Sequence, residues 1–148
     1  YEAEAYCKWA GRRLPSEAEW EMAASVTNDG EKRKYPWGNE APTSERANLD
    51  WRAMECIEVG ALPAGDSVHG CRQMIGNVWE WVQDCWHSDY TNAPVNGEAW
   101  VQGGECGKRV NRGGGWGNHP RSMRSASRDA DSAEGFSNAM GFRVVRER

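Results

Sequence analysis

Metal, redox and acid–base chemistry draw on a few side-chain types, and this chain of 148 residues carries some of them sparsely. Its histidines are His69, His87 and His119, and no two stand in the His-x-x-His or His-x-x-x-His spacing that one helix turns into a metal pair. His69 and His87 read as loop histidines that pack or face solvent. The five cysteines, Cys7, Cys56, Cys71, Cys85 and Cys106, contain no Cys-x-x-Cys pair, which argues against zinc. An odd count with no visible secretion signal favours reduced thiols in a cytoplasm. Cys85 and Cys106 flank one long loop and could pair, but sequence alone does not set connectivity. Asp129, Asp131 and Glu134 form an acidic run that reads as a solvated loop, although Asp-x-Asp could recruit a cation. Glu80 stands between Trp79 and Trp81. Two indoles two residues apart on a strand share a face and imply burial there. Glu80 then lies on the other face, either solvated or bound to a cation or an arginine.

The elements that would position these residues are short. Tyr1–Ala10 reads as a helix with an apolar stripe of Ala3, Tyr6 and Trp9/Ala10, stopped by Gly11. Ser16-Glu-Ala-Glu19 is a capping box, so a second helix runs over Ser16–Ser25 with Trp20 and Ala23/Ala24 inward. Val26–Lys34 is an exposed loop, Tyr35–Asn39 a rigid aromatic turn, and Asn39–Asp50 a loop. Ile57–Leu62 is a candidate short strand closed by Pro63–Asp66. Val78–Val82 is a strand entered through the Gly76-Asn77 turn, with Trp79 and Trp81 as the core nucleus. Asp84–Gly107 is a long loop, and loops of that length are usually functional or self-packed. Arg109–Arg112 and Gly141–Val145 are the remaining strands.

Composition bounds the answer further. The length suits one domain. A hydrophobic content of 39% with nine Trp means fewer, larger core side chains, and 17 Gly with six Pro means much irregular backbone. No apolar run approaches a membrane-spanning helix, so a membrane partner is not expected. A net charge of −4 argues against nucleic acid as the main partner. The opening Tyr-Glu-Ala-Glu-Ala, without Met, reads as the start of a piece of something longer.

Several stretches together resemble one family. They are Arg-Arg-Leu-Pro-Ser-Glu-Ala-Glu-Trp-Glu (12–21), Tyr-Pro-Trp-Gly-Asn (35–39), Ala-Asn-Leu-Asp (47–50), Gly-Asn-Val-Trp-Glu-Trp (76–81), Arg-Gly-Gly-Gly-Trp (112–116) and Gly-Phe-Arg-Val-Val-Arg (141–146). In that order they are similar to the formylglycine-generating enzyme, or sulfatase-modifying-factor, family over nearly the whole chain. Residues 1–82 resemble the catalytic domain of the bacterial ergothioneine-biosynthesis sulfoxide synthases. Residues 83–148 resemble the general branch of the family. The resemblance implies a C-type-lectin-like α+β fold of two helices, small antiparallel sheets and much ordered loop. It also implies that residues 1–148 are one domain, the C-terminal two-thirds of the family's, with its opening strand upstream. A second copy or that upstream part would then cover the open edge, so a homodimer or an upstream domain is an expected partner.

The same resemblance sets expectations for chemistry. The family's copper enzymes use a cysteine pair after the glycine-rich turn, and no Cys follows Cys106 here, so formylglycine formation is not expected. The sulfoxide synthases hold non-haem iron with three histidines largely from a separate helical module, so no iron site is expected within this chain and no catalytic residue is assigned. The pocket-lining segment corresponds to Trp116, Asn118, His119, Arg121 and Arg124. Arginines there suit a small carboxylate or thiol-type ligand, because a guanidinium grips a carboxylate with two hydrogen bonds; the alternative for Arg124 and Arg128 is structural pairing with Glu or Asp. Structural calcium is implied at Asn48 and Leu49, and at Gly76, Val78 and Glu80, with Gln73 standing where a ligand Asn occurs. The alternative for Glu80 is a buried hydrogen bond or salt bridge. Two functions follow: the substrate-binding part, or a degenerate relative, of an iron-dependent sulfoxide synthase, or a non-catalytic lectin-like module for a small ligand or protein.

Overall fold

A computed structural model describes residues 1–147. Helix α1 spans Glu2–Trp9 and ends on Gly11, whose φ of 62° only glycine adopts easily. Its buried positions are Ala3 and Cys7, an i, i+4 pair. Of the expected apolar stripe only Ala3 is buried: Tyr6 and Trp9 are exposed, packed on each other, and Tyr6 meets Phe142. Small side chains let the helix approach the sheet, and the bulky ones are left at its rim.

Helix α2 spans Glu17–Ser25 and starts with the predicted capping box. Ser16 Oγ accepts from the Glu19 amide at 3.1 Å, and Glu19 Oε2 accepts from the Ser16 amide at 2.8 Å. Arg13 forks the same carboxylate at 2.6 and 2.7 Å and holds it below the usual carboxyl range. Trp20 and Ala24 face inward, as their spacing requires.

Strand β1 spans Trp79–Trp86, β2 Glu105–Arg112, β3 Arg128–Ser132 and β4 Met140–Phe142. They form one sheet in the order β3-β2-β1-β4. The β1/β2 and β2/β3 pairs are antiparallel, whereas β4 lies parallel to β1, so the sheet is mixed rather than purely antiparallel. The Gly141–Val145 strand is shorter than expected, and Val145 instead bridges Arg13. The Asp84–Gly107 loop is shortened from both ends, because β1 runs on to Trp86 and β2 begins at Glu105. A disulfide between Cys85 and Cys106 closes it, so reduced thiols are confined to Cys7, Cys56 and Cys71. Two residues of the acidic run lie in a strand rather than a loop, Asp129 and Asp131 in β3 opposite Asn111 and Arg109, while Glu134 lies in the turn that follows. Segment 57–62 is not a strand. Leu62 sits at φ 57°, and Ile57 is paired by the Asn77 side chain, which accepts from its N–H at 2.8 Å and donates to its carbonyl at 3.2 Å.

The core lies on the face opposite to the one the two indoles suggest. Glu80, Val82 and Asp84 of β1 are buried, while Trp79 and Trp81 are half-buried. Val82 packs with Trp20, Ala24, Met74 and Val110 in the main cluster. Trp79 joins the edge of a second cluster made by Ala47, Leu49, Ile75 and Met123. The stacked Tyr35–Trp37 turn is present as expected, with ring centroids 5.2 Å apart. No helix among the described residues is long and apolar enough to cross a membrane.

Candidate functional site

The glycine-rich turn after β2 is held by the last residue of that strand. Arg112 is fully buried. Its Nη1 donates to Glu17 at 2.6 Å, and its Nη2 donates to Glu21 at 2.6 Å and to the Ser125 carbonyl at 2.7 Å. One guanidinium thus ties α2 to both ends of segment 112–125. Arg128 completes the cluster, gripping Glu17 through Nε and Nη2, both at 2.9 Å, beneath Trp86 and Tyr90. Burial alone would push Glu21 up, but the hydrogen bond and charge of Arg112, and then Lys32, outweigh it and hold Glu21 below the ordinary range. Tyr90 donates to Glu17 at 2.9 Å, and burial beside that carboxylate pushes its hydroxyl up to about 12. The structural alternative is therefore right for Arg128.

Within the turn, Gly113 and Gly114 sit at φ 90° and 83°, where side chains are strained, and a Cβ on Gly114 would strike Met123 Sδ at 2.2 Å. Met123 is itself sunk in the second core cluster. Asn118 Oδ1 accepts from the Gly115 amide at 2.7 Å and closes the bend. His119 is exposed, and its Nδ1 accepts from the Arg121 amide at 3.2 Å, capping the short turn Pro120–Ser122. Trp116 is buried, and its indole N–H has no acceptor among the described residues. Arg121 and Arg124 project from this locked scaffold, exposed, with no ion-pair partner among the described residues. The backbone of the turn that carries both arginines is fixed from Arg112, Met123 and Asn118.

Sequence reasoning missed one neighbour of this turn. Trp51 stands edge-to-face on Trp116, with centroids 4.7 Å apart and an interplanar angle of 86°. The Trp51 amide donates to the Trp116 carbonyl and the Asp50 amide to the Asn118 carbonyl, both at 3.0 Å. The recognised motif ended at Asp50, one residue short. Asp50, Trp51 and Met54 all have φ near 60°, at 61°, 59° and 59°. Each non-glycine residue in that region costs on the order of 1 kcal/mol or more. A buried N–H without an acceptor, as on Trp116, adds about 1–3 kcal/mol.

The residues expected at calcium are brought together but are engaged elsewhere. The Asn48 carbonyl accepts from the Asn77 amide at 2.9 Å, and a Cβ on Gly76 would meet that carbonyl at 2.4 Å. Leu49 is buried in the second core cluster and touches the same glycine, while Val78 packs against Gly141. Glu80 is forked by Arg143 at 2.5 and 2.6 Å and accepts from Trp20 Nε1 at 2.7 Å. Both its oxygens are thus taken, so the buried salt bridge describes Glu80 and its donor set fits calcium poorly. Gln73 donates to the Ala61 carbonyl at 2.9 Å.

The histidines do not converge. His69 Nε2 pairs with the Val26 carbonyl, and His87 lies flat on Trp100 between the carbonyls of Cys85 and Gln102. No three His, Cys, Asp or Glu side chains gather in a metal-holding group among the described residues. These residues therefore do not fit the ligand set of a three-histidine iron centre.

Comparison with known proteins agrees with the motif reading. A family model described as "Sulfatase-modifying factor enzyme 1-like domain" matches residues 1–148. Hercynine oxygenase of Mycobacterium tuberculosis is 43% identical over 135 residues, covering 88% of this chain and 31% of that protein. Formylglycine-generating enzyme of Thermomonospora curvata is 34% identical over 163 residues, covering 99% of this chain and 53% of that one. The structure of PvdO from Pseudomonas aeruginosa superposes with a TM-score of 0.82 at 32% identity, over 96% of this chain and 57% of that one. The chain thus spans about a third of the hercynine oxygenase it matches, and a little over half of the other two.

Proposed function

The chain belongs to the sulfatase-modifying factor enzyme 1-like family, with its C-type-lectin-like α+β fold, and from that premise we propose that it is the substrate-holding domain of an iron-dependent oxygenase of the sulfoxide-synthase kind. The observation that carries this reading is the exposure of Arg121 and Arg124, without ion-pair partners among the described residues, on a turn locked from beneath by Arg112. A small carboxylate bound there gains two-point recognition, and the fixed backbone spares the entropy of ordering a loop on binding. The 43% identity to a protein named hercynine oxygenase supports a carboxylate-bearing imidazole substrate and a thiol co-substrate. The turn carries no cysteine, which disfavours the cysteine-based chemistry of the formylglycine-generating relatives.

In this reading the metal ligands come from another module of the intact protein, and the present residues bind and orient the substrate. Trp116 shields the base of the turn from water, Asn118 and His119 hold its backbone, and Arg121 with Arg124 fixes the carboxylate. A second reading, a non-catalytic small-ligand module, is favoured by one observation: the described histidines do not converge. Oxygen uptake by the intact protein with a thiol and trimethylhistidine separates the two. Turnover abolished by Arg121→Ala/Arg124→Ala supports the oxygenase reading. Saturable trimethylhistidine binding without oxygen uptake supports the binding module. Neither binding nor uptake overturns both.

A further inference from the structure

We infer that the cavity between the end of α1 and the middle of β1 and β2 is a second anion site, fitted to a dianionic phosphate monoester with a small apolar body. It shares no residue with the glycine-rich turn, so it stands or falls apart from Arg121 and Arg124.

The cavity has a volume of about 340 Å³ and gathers four basic side chains, Lys8, Arg12, Arg13 and Arg109, against the single acid Glu4. Two of the four are committed within the fold: Lys8 pairs with Glu4 at 2.9 Å, and Glu19 and Glu147 hold Arg13. Glu4 sits below the ordinary carboxyl range chiefly through its hydrogen bond to Lys8, and the charge of Arg109 adds less. Arg12 and Arg109 are half-buried and have no ion-pair partner among the described residues. Arg12 Nη1 donates to the Gly11 carbonyl at 3.0 Å. Arg109 Nη1 donates to the Gln83 carbonyl at 2.7 Å and reaches Cys85 Sγ at 3.5 Å. On each guanidinium Nε and Nη2, a pair of donors that can grip an oxyanion side by side, have no acceptor among the described residues.

The rest of the wall selects the body of the ligand. Leu14, Val82 and Val101 line the same cavity beside the buried Cys7. Apolar walls lower the local dielectric, which strengthens an ion pair formed against them and raises the cost of an unmatched charge. Two uncommitted guanidinium groups therefore call for two negative charges on one ligand, and a monoanion leaves one of them unmatched. A phosphate monoester supplies both charges above its second pKa of about 6. The carbonyls at the end of α1 would repel an anion, but two of them are already engaged. The Arg12 amide donates to Cys7 at 2.8 Å and the Gly11 amide to Lys8 at 3.2 Å.

The test follows the methyl resonances of Leu14, Val82 and Val101 in the intact protein at about pH 8, where the monoester is a dianion. The probes are phenyl phosphate and phenyl sulfate, which has the same shape and one charge fewer. The wild type binds phenyl phosphate about tenfold more tightly than phenyl sulfate. Arg12→Gln/Arg109→Gln weakens phenyl phosphate about tenfold or more and removes the preference. Val101→Asp, at a position 43% exposed, weakens it as well by placing a negative charge at the cavity. Arg121→Ala/Arg124→Ala leaves the shifts of these methyl groups unchanged. A wild type without those shifts, or with equal affinity for the two esters, overturns the inference. So does a folded Arg12→Gln/Arg109→Gln protein with wild-type affinity. If that variant does not fold, wild-type affinity in Val101→Asp overturns it instead. Loss of the shifts in the Arg121→Ala/Arg124→Ala protein assigns the binding to the glycine-rich turn and overturns the second site too.

Discussion

Arg112 and Arg121 stand on the same glycine-rich segment, and their surroundings are opposite. Arg112 is sealed beneath α2 with two carboxylates and a carbonyl on its guanidinium. Arg121 is exposed and without an ion-pair partner among the described residues, a few residues after Trp116, whose indole meets Trp51 edge-to-face. The sealed region pairs its charges within the fold, although Arg112 Nε and Ser125 Oγ are buried without partners among the described residues, so it serves as scaffold. The open region breaks several local rules at once, with successive left-handed residues and a buried indole N–H lacking an acceptor among the described residues, which is why we propose ligand binding there.

Variants can break that contrast, and the largest effect falls on the sealed side. Arg112→Met leaves Glu17 and Glu21 short of their buried partner and should destabilise by about 3–5 kcal/mol. Urea denaturation reads it, and a loss no greater than that of Arg121→Ala would abolish the distinction. Cys106→Ser opens a disulfide with a sequence separation of 21 and should destabilise by about 3 kcal/mol, freeing the loop that carries Tyr90 and Trp100. Ser16→Ala removes one half of the capping box and should cost about 1 kcal/mol in the same assay. An unchanged midpoint would mean that the Ser16 hydroxyl does not stabilise the start of α2.

The smallest effect is a slope with pH. Asp84 is buried, and burial raises its carboxyl above the ordinary value against hydrogen bonds from the Trp100 and Glu17 amides. A raised folded-state value means that stability is greatest below the unfolded value and is lost as pH rises through the folded one. Asp84→Asn does not titrate there. The stability of wild type relative to Asp84→Asn should therefore fall between acidic and neutral pH, and a difference that grows instead would reverse the assigned sign.

How much of this was legible in the sequence depends on the range of the interaction. The capping box, the Gly11 stop and the Tyr35–Trp37 turn are local and appear as written. The motif order identified the family and the fold, which the comparisons bear out. The face of β1 was misread because alternation says which residues share a side, not which side is covered. Trp20 and Arg143 bury Glu80 from elements remote in sequence. The acidic β3 escaped for the same reason: Asn111 Nδ2 donates to Asp131 across the sheet, at 2.9 Å. Trp51 had no local signal beyond sitting one residue after Ala-Asn-Leu-Asp, since its partner is Trp116. The Glu17–Arg112–Arg128 cluster was hidden likewise, although Glu17 lies inside the capping box.

The most direct measurement is a calorimetric titration of the intact protein with phenylacetate, wild type against Arg121→Ala/Arg124→Ala, with urea midpoints recorded alongside. The carboxylate account predicts an unchanged midpoint and a loss of affinity of about tenfold or more. Unchanged affinity in the folded variant would contradict it.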